Sequence, residues 1–328
     1  MHCVSRYLCF VFIFLSGVEL WAQPQIPRDT TYTVSGTYNK LKKQYPTIQL
    51  VRPYENSHIV QENDIVYTTL QQAENHRELK ADLFYPKKVK RKLPGVILVH
   101  GGGWRSGDKT MNIPLARQLA LEGFVVMSVE YQLSLEAKYP AAVHNLKAAI
   151  RWLRSKASEY SLDESKIAII GGSAGGQLAS LIGTTNGNQK FEGNDGHAPF
   201  SSEVQAVVDL DGLLDFTHEE NLAIKRTDYS ADVFWLGGFY DSVPEVWKEA
   251  SPITHVSAST PPFLFINSSQ TRFHAGCKEM VEKLQSFGVK AEVIALEDAP
   301  HSYWFFEPWF TPMTGHIVKF LNQTLKKK

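Results

Sequence analysis

A serine at the centre of a glycine-rich turn is the first residue of this chain that could act as a nucleophile. Residues 171–176 (GGSAGG) place Ser173 in a G-x-S-x-G pattern, directly after an apolar run that ends at Ile170 and directly before a helical pattern. Glycines on both sides let a strand and a helix approach closely, so the serine oxygen is pushed out above the sheet. The start of the helix favours negative charge beside it. An ordinary glycine-rich β–α turn is the alternative interpretation.

A second glycine loop follows another apolar run. Residues 100–104 (HGGGW) come directly after the run 94–99. Successive glycines let backbone N–H groups point at one place, where they could stabilise an oxyanion. The stretch from Gly102 to Thr110 does not fit a phosphate loop, because Asp108 falls between Gly107 and Lys109.

Short apolar runs that alternate with helical patterns predict the elements that position these loops. Two alternating runs at the start predict antiparallel strands, and the continuous runs that follow predict buried parallel strands. The predicted strands are 64–70, 79–85, 94–99, 124–129, 166–170, 204–210, 263–266 and 289–296, and the predicted helices lie near 111–122, 140–159, from Ala174, 275–287 and 313–325. This order predicts an α/β fold with helices on both faces of a mostly parallel sheet. Functional residues then lie beyond the carboxyl ends of the strands.

With both loops in view, the chain resembles the α/β-hydrolase fold over about residues 63–325. More closely, it resembles the HGGGW/GxSxG esterases of the hormone-sensitive-lipase and bacterial feruloyl/acetyl-esterase kind. The resemblance implies a twisted, mostly parallel sheet with a short cap insertion. It implies that Ser173 is the nucleophile and that the backbone N–H groups of Ala174, Gly102 and Gly103 form the oxyanion hole. It implies neither a metal ion nor a cofactor.

The general base of this fold is a histidine that follows the last strand, in the chain order serine, acid, histidine. His301 lies just after the predicted strand 289–296 and is the expected base. His316 is a competitor, but it falls inside the pattern of the last helix.

The acid is the point at which the sequence departs from the family. It is expected after strand 263–266, yet no carboxylate occurs there before Glu279. Asp211, at the end of the neighbouring strand, is the preferred candidate, and Asp298, in the loop of the histidine, is the second. A serine–histidine dyad oriented by a neutral group is the third possibility, since the acid only orients the imidazole and stabilises its charged form.

Aromatic and basic residues near these loops bear on the substrate. Trp104 and Trp304 are expected to line the cleft, where flat rings suit sugars, while most of the aromatic run 303–310 is expected in the core. Arg272 and His274 occupy the stretch where the acid usually lies, beside the cleft, and both are expected to contact substrate. The stretch around Arg272 and the run 305–310 resemble exported bacterial esterases labelled pectin or xylan acetylesterases. Arg272 could bind the carboxylate of an acidic sugar, or form a structural ion pair with Asp298.

The first 22 residues read as a secretory signal peptide. Arg6 precedes the compact apolar run 8–15, and cleavage is expected after Ala22, with a retained membrane anchor as the alternative. Export to the periplasm or the medium follows from this interpretation. Cys277 would be the one cysteine left, so no internal disulfide is expected.

The remaining chain is divided into an N-terminal extension (23–62) and a catalytic domain (63–328). An irregular stretch at about 212–259 is longer than a normal connection and is expected to be a cap or lid over the cleft.

Composition excludes some function classes and leaves others open. The chain of 328 residues has 34 basic and 34 acidic side chains, so it has no global positive field for nucleic acid. The expected function is removal of acetyl or similar small acyl groups from acylated plant polysaccharide, pectin or xylan, by an exported serine esterase. The alternatives are a general short-chain carboxylesterase, a feruloyl esterase, a serine peptidase of the same fold, and a glycan-binding protein with a degenerate triad.

Overall fold

The computed structural model describes residues 28–71 and 76–326. Its main element is an eight-stranded sheet, with a separate pair of two-residue strands. The strands are β1 (Gln49–Leu50), β2 (Ile59–Gln71), β3 (His76–Pro86), β4 (Leu93–Val99), β5 (Val125–Val129), β6 (Leu162–Gly172), β7 (Ala206–Leu210), β8 (Phe263–Asn267), β9 (Ala291–Ala295) and β10 (Phe306–Glu307). The large sheet has the order β2-β3-β5-β4-β6-β7-β8-β9. The pairs β2–β3 and β3–β5 are antiparallel, and the other pairs are parallel.

Helices cover both faces of this sheet. They are α1 (Val34–Leu41), α2 (Ile113–Leu121), α3 (Ala141–Ser155), α4 (Ala174–Thr184), α5 (Glu219–Leu222), α6 (Ala231–Leu236), α7 (Pro244–Ala250), α8 (Cys277–Ser286) and α9 (Phe310–Leu325). In β4, Ile97 and Val99 point into the core shared with α3, α4 and α8, whereas Val96 and Leu98 point into the core shared with α2 and α9. Because both faces are apolar, the strand reads as a continuous hydrophobic run.

Each predicted strand is present, but some ends differ. The first one begins at Ile59, five residues before the predicted start, so residues 59–62 belong to the sheet and not to the extension. The ladder shifts register between Glu62 and Ile65, and Asp64 has a φ of 57° there. This irregularity interrupts the alternation of polar and apolar residues, which is why the pattern hides the beginning of the strand.

The N-terminal extension lies against the catalytic domain. Its helix α1 is capped by Thr33, whose side chain accepts from the N–H of Gly36 at 3.0 Å. Strand β1 pairs with β10, and Ile48 is buried in the core. The predicted signal peptide, 1–22, and the first five residues of the extension lie outside the described residues.

The stretch 212–259, called the insertion below, contains α5, α6, α7 and a 3₁₀ helix at Pro252–His255. Trp235 and Trp247 are fully buried and fix the insertion to the domain. Cys277, at the start of α8, is a buried free thiol, and burial raises its pKa to about 12. Over the described ranges, no helix combines the length and apolarity that a membrane crossing requires.

Candidate active site

Ser173 lies at a sharp turn between β6 and α4. Its φ is 56°, and its N–H donates to the carbonyl of Leu210 at 2.8 Å. A Cβ atom at Gly171 would lie 2.0 Å from the carbonyl oxygen of Gly175, so a side chain cannot be accommodated where strand and helix cross. Ala174 is the first residue of α4, and its N–H is therefore one of the donors that have no partner within the helix.

The side chains of Ser173, His301 and Asp211 form a continuous hydrogen-bonded chain. Nε2 of His301 lies 2.9 Å from Oγ of Ser173, and Nδ1 lies 2.9 Å from Oδ2 of Asp211. The carboxylate of Asp211 is fully buried, and its Oδ1 accepts the N–H of Ser268 at 2.7 Å. A carboxylate can only accept, so Nδ1 carries the proton and Nε2 presents its lone pair to the serine hydroxyl.

The other candidates for the acid and the base lie elsewhere. Asp298 accepts a hydrogen bond from Nε1 of Trp309 at 3.1 Å, while Nδ1 of His301 is occupied by Asp211. Of the two carboxylates, Asp211 is therefore the one that lies within hydrogen-bond distance of His301. His316 lies inside α9, as its position in the sequence predicts.

Aromatic rings enclose the imidazole of His301. The ring of Phe273 stacks on it with a centroid distance of 3.5 Å, and Trp304 contacts it edge-on at 5.2 Å. Burial lowers the pKa of His301 below its ordinary value of 6.5; the positive charge of Arg272 adds to this effect, and Asp211 opposes it. The ring is thus held in the neutral form that can accept a proton.

The glycine loop faces the same pocket. Gly102 and Gly103 have φ values of 121° and 58°, which L side chains rarely adopt. A Cβ atom at Gly102 would lie 2.2 Å from the carbonyl oxygen of Ser106. Both glycines line a cavity of about 210 Å³ together with Ser173 and His301. The N–H groups expected to hold an oxyanion are therefore next to the nucleophile.

His100, the first residue of the glycine loop, has a structural role. It is buried and stacked on Tyr131, and its Nδ1–H donates to the carbonyl of Gly101 at 2.8 Å. Burial lowers its pKa to about 4. It stays neutral and supports the loop from beneath.

Trp104 does not line the cleft, which corrects its expected contact with substrate. Its ring is only 7% exposed and stacks on Trp235 at 4.8 Å. Its Nε1–H donates to Oε1 of Gln177 at 2.9 Å. Trp104 thus connects the glycine loop to the insertion through Trp235 and to α4 through Gln177.

The remaining residues expected to bind substrate occupy different surroundings. Trp304 is also only 7% exposed and lies behind the serine turn, where a Cβ atom at Gly172 would lie 2.7 Å from its ring, so its expected place in the cleft is wrong as well. His274 is half-buried, and its Nε2 lies 3.3 Å from the carbonyl oxygen of Ser268. Arg272 is exposed, with its guanidinium 4.0 Å from the centre of the Phe273 ring. Among these, Arg272 is the side chain whose position leaves it open to a ligand.

A second buried carboxylate lies two residues before the acid. Asp209 accepts from the N–H of Gly212 at 2.6 Å and from the hydroxyl of Ser180 at 2.7 Å. Burial raises its pKa to about 7. It holds the turn that carries Asp211.

Several residues of the site have no signal in the sequence. Neither Phe273 nor Gln177 belongs to a motif that indicates its contact, although Gln177 follows the serine by one helical turn. Asp29, Thr31 and Tyr32 also line the cavity, yet the extension shows no periodicity that would place them there. Only the fold brings these residues to the serine.

The BD-FAE family model matches residues 81–278, which is more than half of the chain and includes the glycine loop, Ser173 and Asp211. The chain therefore belongs to the BD-FAE family.

Relatives and solved structures extend the comparison. Esterase LipC of Mycobacterium tuberculosis is 29% identical over 250 residues, which cover 72% of this chain and 59% of LipC. Esterase LipQ of the same organism is 30% identical over 210 residues, which cover 64% of this chain and 47% of LipQ. The chain thus spans about half of the length of these curated relatives.

Two solved structures share the fold. A truncated form of a carbohydrate esterase from gut microbiota has a TM-score of 0.73 and 27% identity, over 84% of this chain and 99% of that one. A bifunctional GH43-CE protein of Bacteroides eggerthii has a TM-score of 0.70 and 29% identity, over 80% of this chain and 38% of that one. The expected α/β-hydrolase fold is confirmed, and so is the expected resemblance to esterases of this fold.

Proposed function

We propose that the protein is a serine esterase that removes acetyl or other small acyl groups from plant cell-wall polysaccharide. The observation that carries the proposal is the hydrogen-bonded chain from Ser173 through His301 to Asp211, with the glycine loop in the same cavity. A solved relative that is described as a carbohydrate esterase supports the sugar part of the proposal.

The geometry fits hydrolysis in two steps. Oγ of Ser173 attacks the ester carbonyl carbon while Nε2 of His301 takes the hydroxyl proton. The N–H groups of Gly102, Gly103 and Ala174 hold the negative charge that develops on the carbonyl oxygen. The tetrahedral species collapses, the sugar oxygen leaves with the proton from His301, and the acyl group stays on the serine.

Water completes the reaction. His301 takes a proton from the water molecule as it attacks the acyl-enzyme, and returns it to Oγ of Ser173 as the carboxylic acid leaves. Asp211 stabilises the charged imidazole in both steps. These steps need only the described side chains and water.

Acetate release from acetylated xylan, pectin and mannan tests the proposal. We expect release from at least one of these, and none by the Ser173→Ala variant. If only aryl esters are cleaved, the protein is a general short-chain carboxylesterase. If no ester is cleaved, the glycan-binding alternative is supported instead.

Arg272 carries the part of the proposal that concerns acidic sugars. The structural alternative was an ion pair with Asp298, but Asp298 contacts Trp309, and none of the ion pairs within residues 28–71 and 76–326 includes Arg272. The Phe273 ring holds His301 on one face at 3.5 Å, so the guanidinium at 4.0 Å occupies the other face. Its N–H edge remains open to a planar carboxylate.

We expect Arg272→Ala to reduce kcat/KM on an acetylated uronate oligosaccharide by about tenfold more than on a neutral one, since a charge-assisted hydrogen bond is lost. Arg272→Lys should restore part of the difference. Arg52→Ala, at an exposed arginine of the extension, serves as the matched control. Equal losses on both substrates would remove the carboxylate-binding role.

Export remains part of the proposal. Arg6, the apolar run 8–15 and the small residue Ala22 support cleavage after residue 22 and delivery to the periplasm or medium. Determining the N-terminal residue of the protein recovered outside the cytoplasm tests this; an uncleaved chain that stays with the cells would contradict it.

A further inference from the structure

Residues 29–32 of the N-terminal extension, called the strap below, cross the mouth of the catalytic cavity. Asp29, Thr31 and Tyr32 line it together with Ser173 and His301. The extension is therefore part of the wall around the nucleophile, although it lies more than a hundred residues away from it in sequence.

The strap is fixed at both sides of the cavity. On one side, Asp29 forms a parallel bridge with Ser106: its N–H donates to the carbonyl of Arg105 at 3.1 Å, and its carboxylate lies 3.0 Å from Nε of Arg105. On the other side, the hydroxyl of Tyr32 lies 3.0 Å from Oγ of Ser302. The strap thus connects the glycine loop to the loop that carries the general base.

Arg105 also reaches the insertion. Its Nη1 donates to the carbonyl of Tyr229 at 2.9 Å, and its guanidinium lies 5.8 Å from the centre of the Phe234 ring. Ala231, between these two residues, lines the catalytic cavity. One arginine therefore joins the strap and the insertion above the nucleophile.

The space beside the nucleophile is small. The cavity measures about 210 Å³, below the ~300–1,000 Å³ of ordinary small-molecule pockets. A wall that is held in place by hydrogen bonds and an ion pair limits the size of the substrate. We propose that the strap is a specificity determinant that excludes bulky esters from Ser173, with Arg105 as the clamp that holds it. This inference rests on the proposed function.

Thr31 offers the cleanest test, because its side chain is exposed and lines the cavity. Thr31→Trp narrows the opening, and Thr31→Ala widens it. Ser35→Trp adds the same bulk at an exposed position of α1, outside the cavity, and is the matched control. Two substrate series are compared by kcat/KM: nitrophenyl esters of increasing acyl length, and acetates of increasingly bulky alcohols.

In at least one series, Thr31→Trp should lower the ratio between the largest and the smallest ester by about tenfold or more, and Thr31→Ala should raise it. Ser35→Trp should leave both ratios within about twofold of those of the parent protein. Asp29→Ala, which removes the carboxylate that pairs with Arg105 and so loosens the strap, should raise the ratio as Thr31→Ala does.

If the ratio changes in the acyl series, the acyl group of the ester faces the strap. If it changes in the alcohol series, the alcohol group does. Ratios that stay constant in all three strap variants, each folded by circular dichroism, would overturn the inference while leaving the esterase intact. A parent protein that cleaves no member of either series would instead refute the proposed function, and the inference with it.

Discussion

Replacing Asp211 by asparagine should nearly abolish turnover without unfolding the protein. The carboxylate accepts two N–H groups, from the Ser268 backbone at 2.7 Å and from the His301 ring at 2.9 Å. Asparagine has only one acceptor oxygen. If that oxygen keeps the Ser268 N–H, the amide NH₂ faces Nδ1 and stabilises the tautomer in which Nε2 carries the proton. That imidazole cannot take the proton of Ser173.

The expected loss follows from this change of tautomer. In serine hydrolases with such a triad the change costs ~10⁴ in kcat, which corresponds to about 5 kcal/mol in the activation barrier. Steady-state kinetics on nitrophenyl acetate measures the loss, and thermal unfolding shows whether the fold is kept. Asp298→Asn is the matched control, because its oxygen can still accept from Trp309, and we expect a change within about twofold. If Asp211→Asn keeps a tenth or more of the original kcat, the reasoning about the triad is refuted.

Three further predictions concern the rest of the site. Because burial lowers the pKa of His301, and the base must be neutral, kcat/KM should rise with pH through a midpoint below 6.5; a midpoint above that value would contradict the assignment. Gly102→Ala should lower kcat by about 10²-fold, because its Cβ atom would lie 2.2 Å from the Ser106 carbonyl oxygen and would displace the glycine loop. Gly315→Ala, which has open space around it, should leave kcat unchanged. Equal kcat values in the two variants would show that the loop has no role in catalysis. Burial raises the pKa of Asp209 to about 7, so the folded protein keeps this proton where the unfolded chain has lost it, and the parent protein loses stability as pH rises toward 7. The free energy of unfolding of Asp209→Asn, measured relative to the parent protein in denaturant titrations, should therefore increase by about 2 kcal/mol from pH 5 to pH 8. A difference that does not change with pH would be the wrong result.

Most of the fold could be predicted because buried parallel strands have a strong sequence signal. The run 94–99 is apolar throughout, since β4 is covered on both faces, and its pattern needs no knowledge of distant residues. The edge strand β2 could not be delimited in this way. A half-exposed strand with a bulge at Asp64 breaks the alternation on which the prediction depends.

The residues of the site also differ in how far the local sequence predicts them. Ser173 and the glycine loop are encoded locally, by glycines that a sharp turn requires. Asp211 could only be ranked above Asp298, because the distance from an acid to a histidine 90 residues later depends on the whole sheet. The expectation that Trp104 contacts substrate is wrong for a related reason. A tryptophan beside a catalytic loop can face the cavity or the core, and its orientation here is set by Trp235, which is distant in sequence.

The proposed esterase activity depends on the reactivity of one hydroxyl group, that of Ser173. Incubation with a fluorophosphonate, followed by mass spectrometry of the digested protein, measures it directly. We predict a single adduct on Ser173, absent from Ser173→Ala and formed far more slowly in His301→Ala. An unlabelled Ser173 in the folded protein, or an adduct that His301→Ala forms at the original rate, would contradict the central claim.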